Sequence, residues 1–133
     1  MNLELQEIRN SVRQLCEGYG EEYWLELDRE NGYPTEFVKE LTESGFLTVL
    51  IPEEYGGAGL GVIEAAVVME EVCRAGAHAG ACHAQMYVMG SVLRHGNASQ
   101  KKKYLPEIAA GRFRLQSCGV TEPSPVPIRP TLR

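Results

Sequence analysis

Apolar residues at Leu3, Leu5, Ile8, Val12, Leu15 and Tyr19 recur mostly at three- and four-residue steps with charged residues between them. That spacing predicts an amphipathic helix, which Gly18 and Gly20 bring to a close. A short helix carrying Tyr23, Trp24 and Leu27 follows and ends at Asn31-Gly32. Pro34 suits the first position of a third helix, where a missing N–H costs nothing, and Phe37, Val38 and Leu41 form its inward face. Gly45 fits the left-handed stop that ends such a helix. Phe46 to Ile51 is mostly apolar but too short for a typical helix, and it leads into a glycine-punctuated loop from Pro52 to Gly61.

Helical spacing returns from Val62 to Arg74, where Ile63, Ala66 and Val67 suggest an inner face and Glu70-Glu71 an outer one. From Ala77 to His95 the chain is almost free of charge, which predicts a central helix buried on most sides and closed by Gly96. A last, basic helix is expected over Ser99 to Ala110, interrupted by Pro106. Arg112 to Val120 alternates Phe113, Leu115 and Ser117 against Arg112, Arg114 and Gln116, a strand pattern. Beyond it Pro123, Pro125, Pro127 and Pro130 each remove a backbone donor, so the tail from Ser124 is expected to be extended and mobile.

Composition narrows the classes of function without choosing one. The 133 residues suffice for one domain; with 44% hydrophobic residues and a net charge of -5, the chain reads as an ordinary globular protein with no bias toward nucleic acid. No apolar run approaches the roughly 18 residues of a membrane-spanning helix. The acidic start Met1-Asn2-Leu3-Glu4-Leu5-Gln6-Glu7 suits neither a signal peptide nor a transit peptide. Cys16, Cys73, Cys82 and Cys118 form no CxxC pair, which fits reduced thiols and a cytoplasmic protein. His78, Cys82 and His83 lie near Cys73, but their spacing matches no familiar zinc pattern, and no metal site is expected.

Three segments carry more specific information. They are Ile51-Pro52-Glu53-Glu54-Tyr55-Gly56-Gly57-Ala58-Gly59-Leu60, then Gly96-Asn97-Ala98-Ser99-Gln100-Lys101-Lys102-Lys103-Tyr104-Leu105-Pro106, then Cys118-Gly119-Val120-Thr121-Glu122-Pro123. The glycine loop lacks the G-x-G-x-x-G order and the lysine of a P-loop, so its glycines read as a chain crossing between helices. The three lysines point in different directions on a helix and read as a solvated basic face. In order and spacing, however, the three segments together resemble the acyl-CoA dehydrogenase family, over about Ile8 to Pro123.

The resemblance implies an all-α fold, the N-terminal helical bundle domain of that family, over residues 1–111. It further implies the first strand of an incomplete middle domain at 112–123, followed by a proline-rich tail at 124–133. The complete enzyme would use FAD to oxidise an acyl-CoA thioester to the 2,3-enoyl-CoA, working as a homo-oligomer in the cytoplasm, or in the mitochondrial matrix of a eukaryote. Cys118, Val120 and Thr121 would meet the flavin, with Cys118 standing where the family usually has an aromatic residue. His83, Ala84 and Tyr87 would line the channel for the acyl chain, and core packing is the other reading of the same positions.

The family's next positions reach the cofactor's phosphates, but here Ser124-Pro125-Val126-Pro127-Ile128 stand instead. The glutamate base of the family belongs to a C-terminal helical domain, so no residue of this chain is assigned a catalytic role. By itself the chain is expected to be inactive and not to retain FAD. A non-catalytic truncated or spliced form, acting as an interaction module or without function, is the alternative.

Overall fold

A computed structural model describes residues 3–113, and the expected strand beyond Phe113 and the tail lie outside the described residues. Six α-helices run in order among the described residues: α1 (Leu3–Glu17), α2 (Glu21–Arg29), α3 (Thr35–Glu43), α4 (Val62–Arg74), α5 (Ala79–His95) and α6 (Ala98–Ala109). Two short 3-10 turns, Phe46–Thr48 and Glu53–Tyr55, fill the link between α3 and α4. This is the all-helical bundle that the pattern of apolar positions predicts.

Local chemistry sets most of the boundaries. Gly45, Gly76 and Gly111 take φ of +83°, +69° and +70° where α3, α4 and α6 stop, a region open to glycine at little cost. Asn97 begins α6 with a reciprocal pair: its Oδ1 accepts from the Gln100 amide and its amide donates to Gln100 Oε1, both at 2.9 Å. Pro34 caps α3 one residue ahead of the expected position, and its carbonyl accepts from the Val38 amide. At α5 the helix starts at Ala79 rather than Ala77, because His78 Nδ1 accepts the Ala81 amide at 3.1 Å and so takes the capping position.

The main core joins Val12 and Cys16 of α1, Phe37, Val38 and Leu41 of α3, Leu47 and Val49, Ala65, Val68 and Val72 of α4, and Ala81, Cys82 and Met86 of α5. A second, smaller core forms from Ile51, Met89, Leu105 and Ile108, between α5 and α6. Helix α2 has no fully buried residue. Rings hold it: Tyr19, Tyr23, Trp24 and Phe37 meet edge to face at centroid distances of 4.8 to 5.1 Å. Such pairs contribute about 0.5–1.5 kcal/mol each beyond the area they bury.

Three expectations need correction. The α1 stripe engages the core only from Ile8 onward, and Leu3 at the end of the helix is 79% exposed. On α4, Ile63 and Ala66 face outward while Glu71 is buried with 1% exposure. The inversion has a clear cause, since Glu71 accepts from Arg9 Nη1 at 2.8 Å and Arg13 Nη2 at 3.0 Å, with Arg74 Nε at 3.7 Å. A carboxylate so paired can enter a core that an isolated one cannot. Lastly, α6 continues through Pro106, whose carbonyl still accepts from the Ala110 amide. The donor that Pro106 lacks would have served Lys102, an exposed residue on the water side of the helix, so the interruption expected there does not occur.

Burial pushes the Glu71 carboxyl up, but hydrogen bonds from Arg9 and Arg13 outweigh it and hold it below the ordinary glutamate value. A hydrogen bond from Arg9 lowers Glu70 in the same way. Carboxyls with lowered folded values stabilise fully above the unfolded value of about 4.3, and that stability is lost as pH falls through the folded value. Urea midpoints should therefore drop as pH falls below about 4.3, and Glu71→Gln should flatten that fall. An unchanged acid dependence in the variant would remove Glu71 from the account.

A mutant cycle tests the pairing itself. Replacing both Arg9 and Arg13 by Met leaves the buried carboxylate with only the longer Arg74 contact and should cost about 3 kcal/mol in urea unfolding. Adding Glu71→Met should recover most of that loss. A triple variant as unstable as the double would show that the arginines stabilise the bundle by packing alone.

Candidate functional site

Helix α5 has two unlike faces. Ala81, Cys82, Gln85, Met86 and Met89 are buried, while Gly80, His83, Tyr87 and Ser91 follow one another at three- and four-residue steps along an exposed strip. The strip ties itself together by local contacts. The His83 and Tyr87 rings lie 4.9 Å apart at 44°, and Ser91 Oγ donates to the Tyr87 carbonyl at 3.2 Å. Tyr87 is 39% exposed and Ala84 only 9%, so Ala84 sits on the core side of the pair.

Of the residues singled out for the acyl chain, the structure thus brings His83 and Tyr87 together on an open surface and turns Ala84 inward. The central helix is buried or half-buried on its other sides, as expected, and this strip is covered by no described element. An imidazole and a phenol side by side on a mostly apolar helix provide flat contact area with polar tips. Cys118, Val120 and Thr121 lie outside the described residues.

The glycine loop takes no part in holding a ligand. Its amides are spent within the domain: Gly57 donates to Pro52, Ala58 to Thr48, Gly59 to Ile51 and Leu60 to Val49, at 2.7 to 3.4 Å. A side chain at Gly57 would collide with the Ile51 backbone. A phosphate cradle needs amides that point at the ligand, and these do not. The structural role read from the sequence holds for this loop.

Burial pushes the Cys82 thiol up to about 12 and the Cys16 thiol up to about 11. Both are therefore inert fillers of the core rather than nucleophiles. Among the described residues no group of three or more His, Cys, Asp or Glu side chains is arranged to hold a metal ion. A groove of about 660 Å³ runs between α1, α2 and the end of α4, past Arg13, Trp24, Leu25 and Glu71, and so lies away from His83 and Tyr87.

Gln85 is the residue that the sequence pattern passes over. It lies 2% exposed between Ala84 and Met86, and its Nε2 donates to the Phe113 carbonyl at 3.3 Å. The available signal was a lone amide within an uncharged, core-facing run.

The described chain is thus an all-helical bundle whose central helix carries His83 and Tyr87 on an exposed strip. The family model for the N-terminal domain of acyl-CoA dehydrogenases matches residues 2–112, and the chain belongs to that family. It is 36% identical to acyl-CoA dehydrogenase FadE12 of Mycobacterium tuberculosis, over 90% of this chain and 31% of that protein. Its fold is similar to a glutaryl-coenzyme A dehydrogenase in complex with glutaryl-CoA, with a TM-score of 0.76 and 34% identity over 92% of this chain and 32% of the other. An acyl-CoA dehydrogenase from Bacillus anthracis, complexed with FAD, gives a TM-score of 0.73 and 31% identity over 86% of this chain and 20% of its own. The chain thus spans about a third or less of the length of the relatives it matches.

Exposure separates a ligand wall from a core position in a measurable way. Tyr87→Ala should destabilise the chain by less than about 1 kcal/mol, whereas a core aromatic truncated to alanine costs about 3–5 kcal/mol. Urea unfolding decides it, and a loss in the core range would return Tyr87 to a packing role.

Proposed function

We propose that these 133 residues are the N-terminal portion of a flavin-dependent acyl-CoA dehydrogenase, whose α5 strip forms part of the wall along the acyl chain. The observation that carries the reading is the His83 and Tyr87 pair, exposed on the central helix of a bundle that belongs to this family. In the reaction the thioester loses its α proton to a base and its β hydrogen as a hydride, and bound FAD supplies the hydride acceptor. No residue of the chain is assigned the base.

Within this reading the chain's own residues bind and orient. Tyr87 lays its ring along the acyl chain, His83 presents a polar edge beside it, and the small Gly80 and Ser91 leave room at either end of the pair. Val120 and Thr121, with Cys118 nearby, would offer backbone and hydroxyl donors to the electron-rich edge of the reduced flavin, a donor set that suits such a ring. In the described glycine loop the amides of Tyr55 to Leu60 already bond within the domain.

The second reading is a non-catalytic truncated or spliced form serving as an interaction module. It is favoured by the change of character after Pro123, where Ser124-Pro125-Val126-Pro127-Ile128 replaces the small residues and phosphate contacts of the family. Sequencing the gene past the codon for Pro123 and expressing its product separates the two. A yellow protein whose flavin is bleached by an acyl-CoA under anaerobic conditions supports the enzyme; a colourless product that no acyl-CoA alters supports the module.

For the 133 residues alone the expected outcome is a folded, colourless protein. Visible absorbance after gel filtration checks it. Stoichiometric flavin carried through the column would show that the chain holds a complete cofactor site.

A further inference from the structure

Where the chain leaves α6, several independent contacts converge on three residues. The Arg112 and Phe113 amides both donate to the Glu107 carbonyl, at 2.9 and 3.1 Å. The Arg112 guanidinium grips the Glu107 carboxylate through two hydrogen bonds of 2.7 Å. Gly111 takes φ of +70° close against Thr42 of α3, and the Tyr104 and Phe113 rings meet at 6.1 Å. Only one of these ties comes from the core of α5: the Gln85 amide, 2% exposed, donating to the Phe113 carbonyl at 3.3 Å.

We propose that Gln85 is a positioning residue, which locks Phe113, at the end of the described bundle, to the same helix that displays His83 and Tyr87. A buried amide costs free energy unless its hydrogen bonds are met, so its presence in an apolar run calls for an acceptor fixed in space. Leucine at this position would fill the volume. Only a donor ties down the Phe113 carbonyl, five residues ahead of Cys118 and eight ahead of Thr121. That bond therefore holds Phe113 to the α5 strip, alongside the contacts from Glu107, Thr42 and Tyr104. What the tie serves rests on the enzyme reading; the tie itself does not.

Amide hydrogen exchange on the 133-residue chain reads the lock directly. In Gln85→Leu the Arg112 and Phe113 amides should exchange about tenfold faster than in the parent, the loss of one net hydrogen bond. The Met89 and Ile108 amides should change only as far as global stability does. Equal changes at all four amides would reduce Gln85 to a core filler and overturn the proposal.

A second measurement needs no variant. In the parent chain the Gln85 side-chain amide protons should exchange much more slowly than those of the exposed Gln14. Equal rates would overturn the proposal as well. Neither result depends on flavin or acyl-CoA, so failure of the lock and failure of the enzyme reading remain distinguishable.

Discussion

Glu71 governs how the bundle is put together. It occupies an inward position on α4 whose companions Ala65, Val68 and Val72 are aliphatic, and a lone carboxylate there would pay several kcal/mol of desolvation. Arg9 and Arg13, one helical turn apart on α1, remove that penalty, and they reach Glu71 only when α1 lies along α4 in a single register. Fixed donor and acceptor geometry adds direction to that packing, so the ion cluster and the buried Val12 and Cys16 favour the same α1 and α4 pairing. Its arginines are partly open to water, at 27% and 46% exposure, which limits its net contribution while leaving its directionality intact.

With α1 and α4 registered, α5 packs its Ala81, Cys82 and Met86 side against the same core and must turn its other side out. That is why His83 and Tyr87 are exposed although their helix is the most weakly charged of the chain. Low charge on α5 therefore reports a surface that avoids charge rather than a surface that is absent. A wall along an apolar ligand and a buried core face make the same demand on sequence, and only the fold distinguishes them.

The helices, their glycine stops and the structural role of the glycine loop were legible in the sequence because each follows from local chemistry. Spacing of apolar residues, missing donors at proline and positive φ at glycine act within a few positions. Features set by distant partners were not legible. Glu71 beside Glu70 reads as an outer face, and nothing within α4 announces two arginines about sixty residues earlier. Gln85 likewise hides in an apolar run, since its acceptor is a backbone carbonyl 28 residues on. Pro106 misleads because proline costs a helix interior one donor, and the carbonyl left without it here belongs to Lys102, which faces water.

Two opposite uses of polar groups follow from this architecture. In the loop from Pro52 to Leu60 the backbone turns the amides of Tyr55 to Leu60 onto carbonyls of its own domain, so its glycines are used within the fold. Along α5 the helix satisfies its own backbone, and any chemistry toward solvent must come from side chains, namely the His83 imidazole and the Tyr87 phenol. The described bundle accordingly presents polar groups on this strip only as side-chain tips. At the far end of the described bundle the one polar tie from the core of α5 is likewise a side chain, the Gln85 amide on the Phe113 carbonyl.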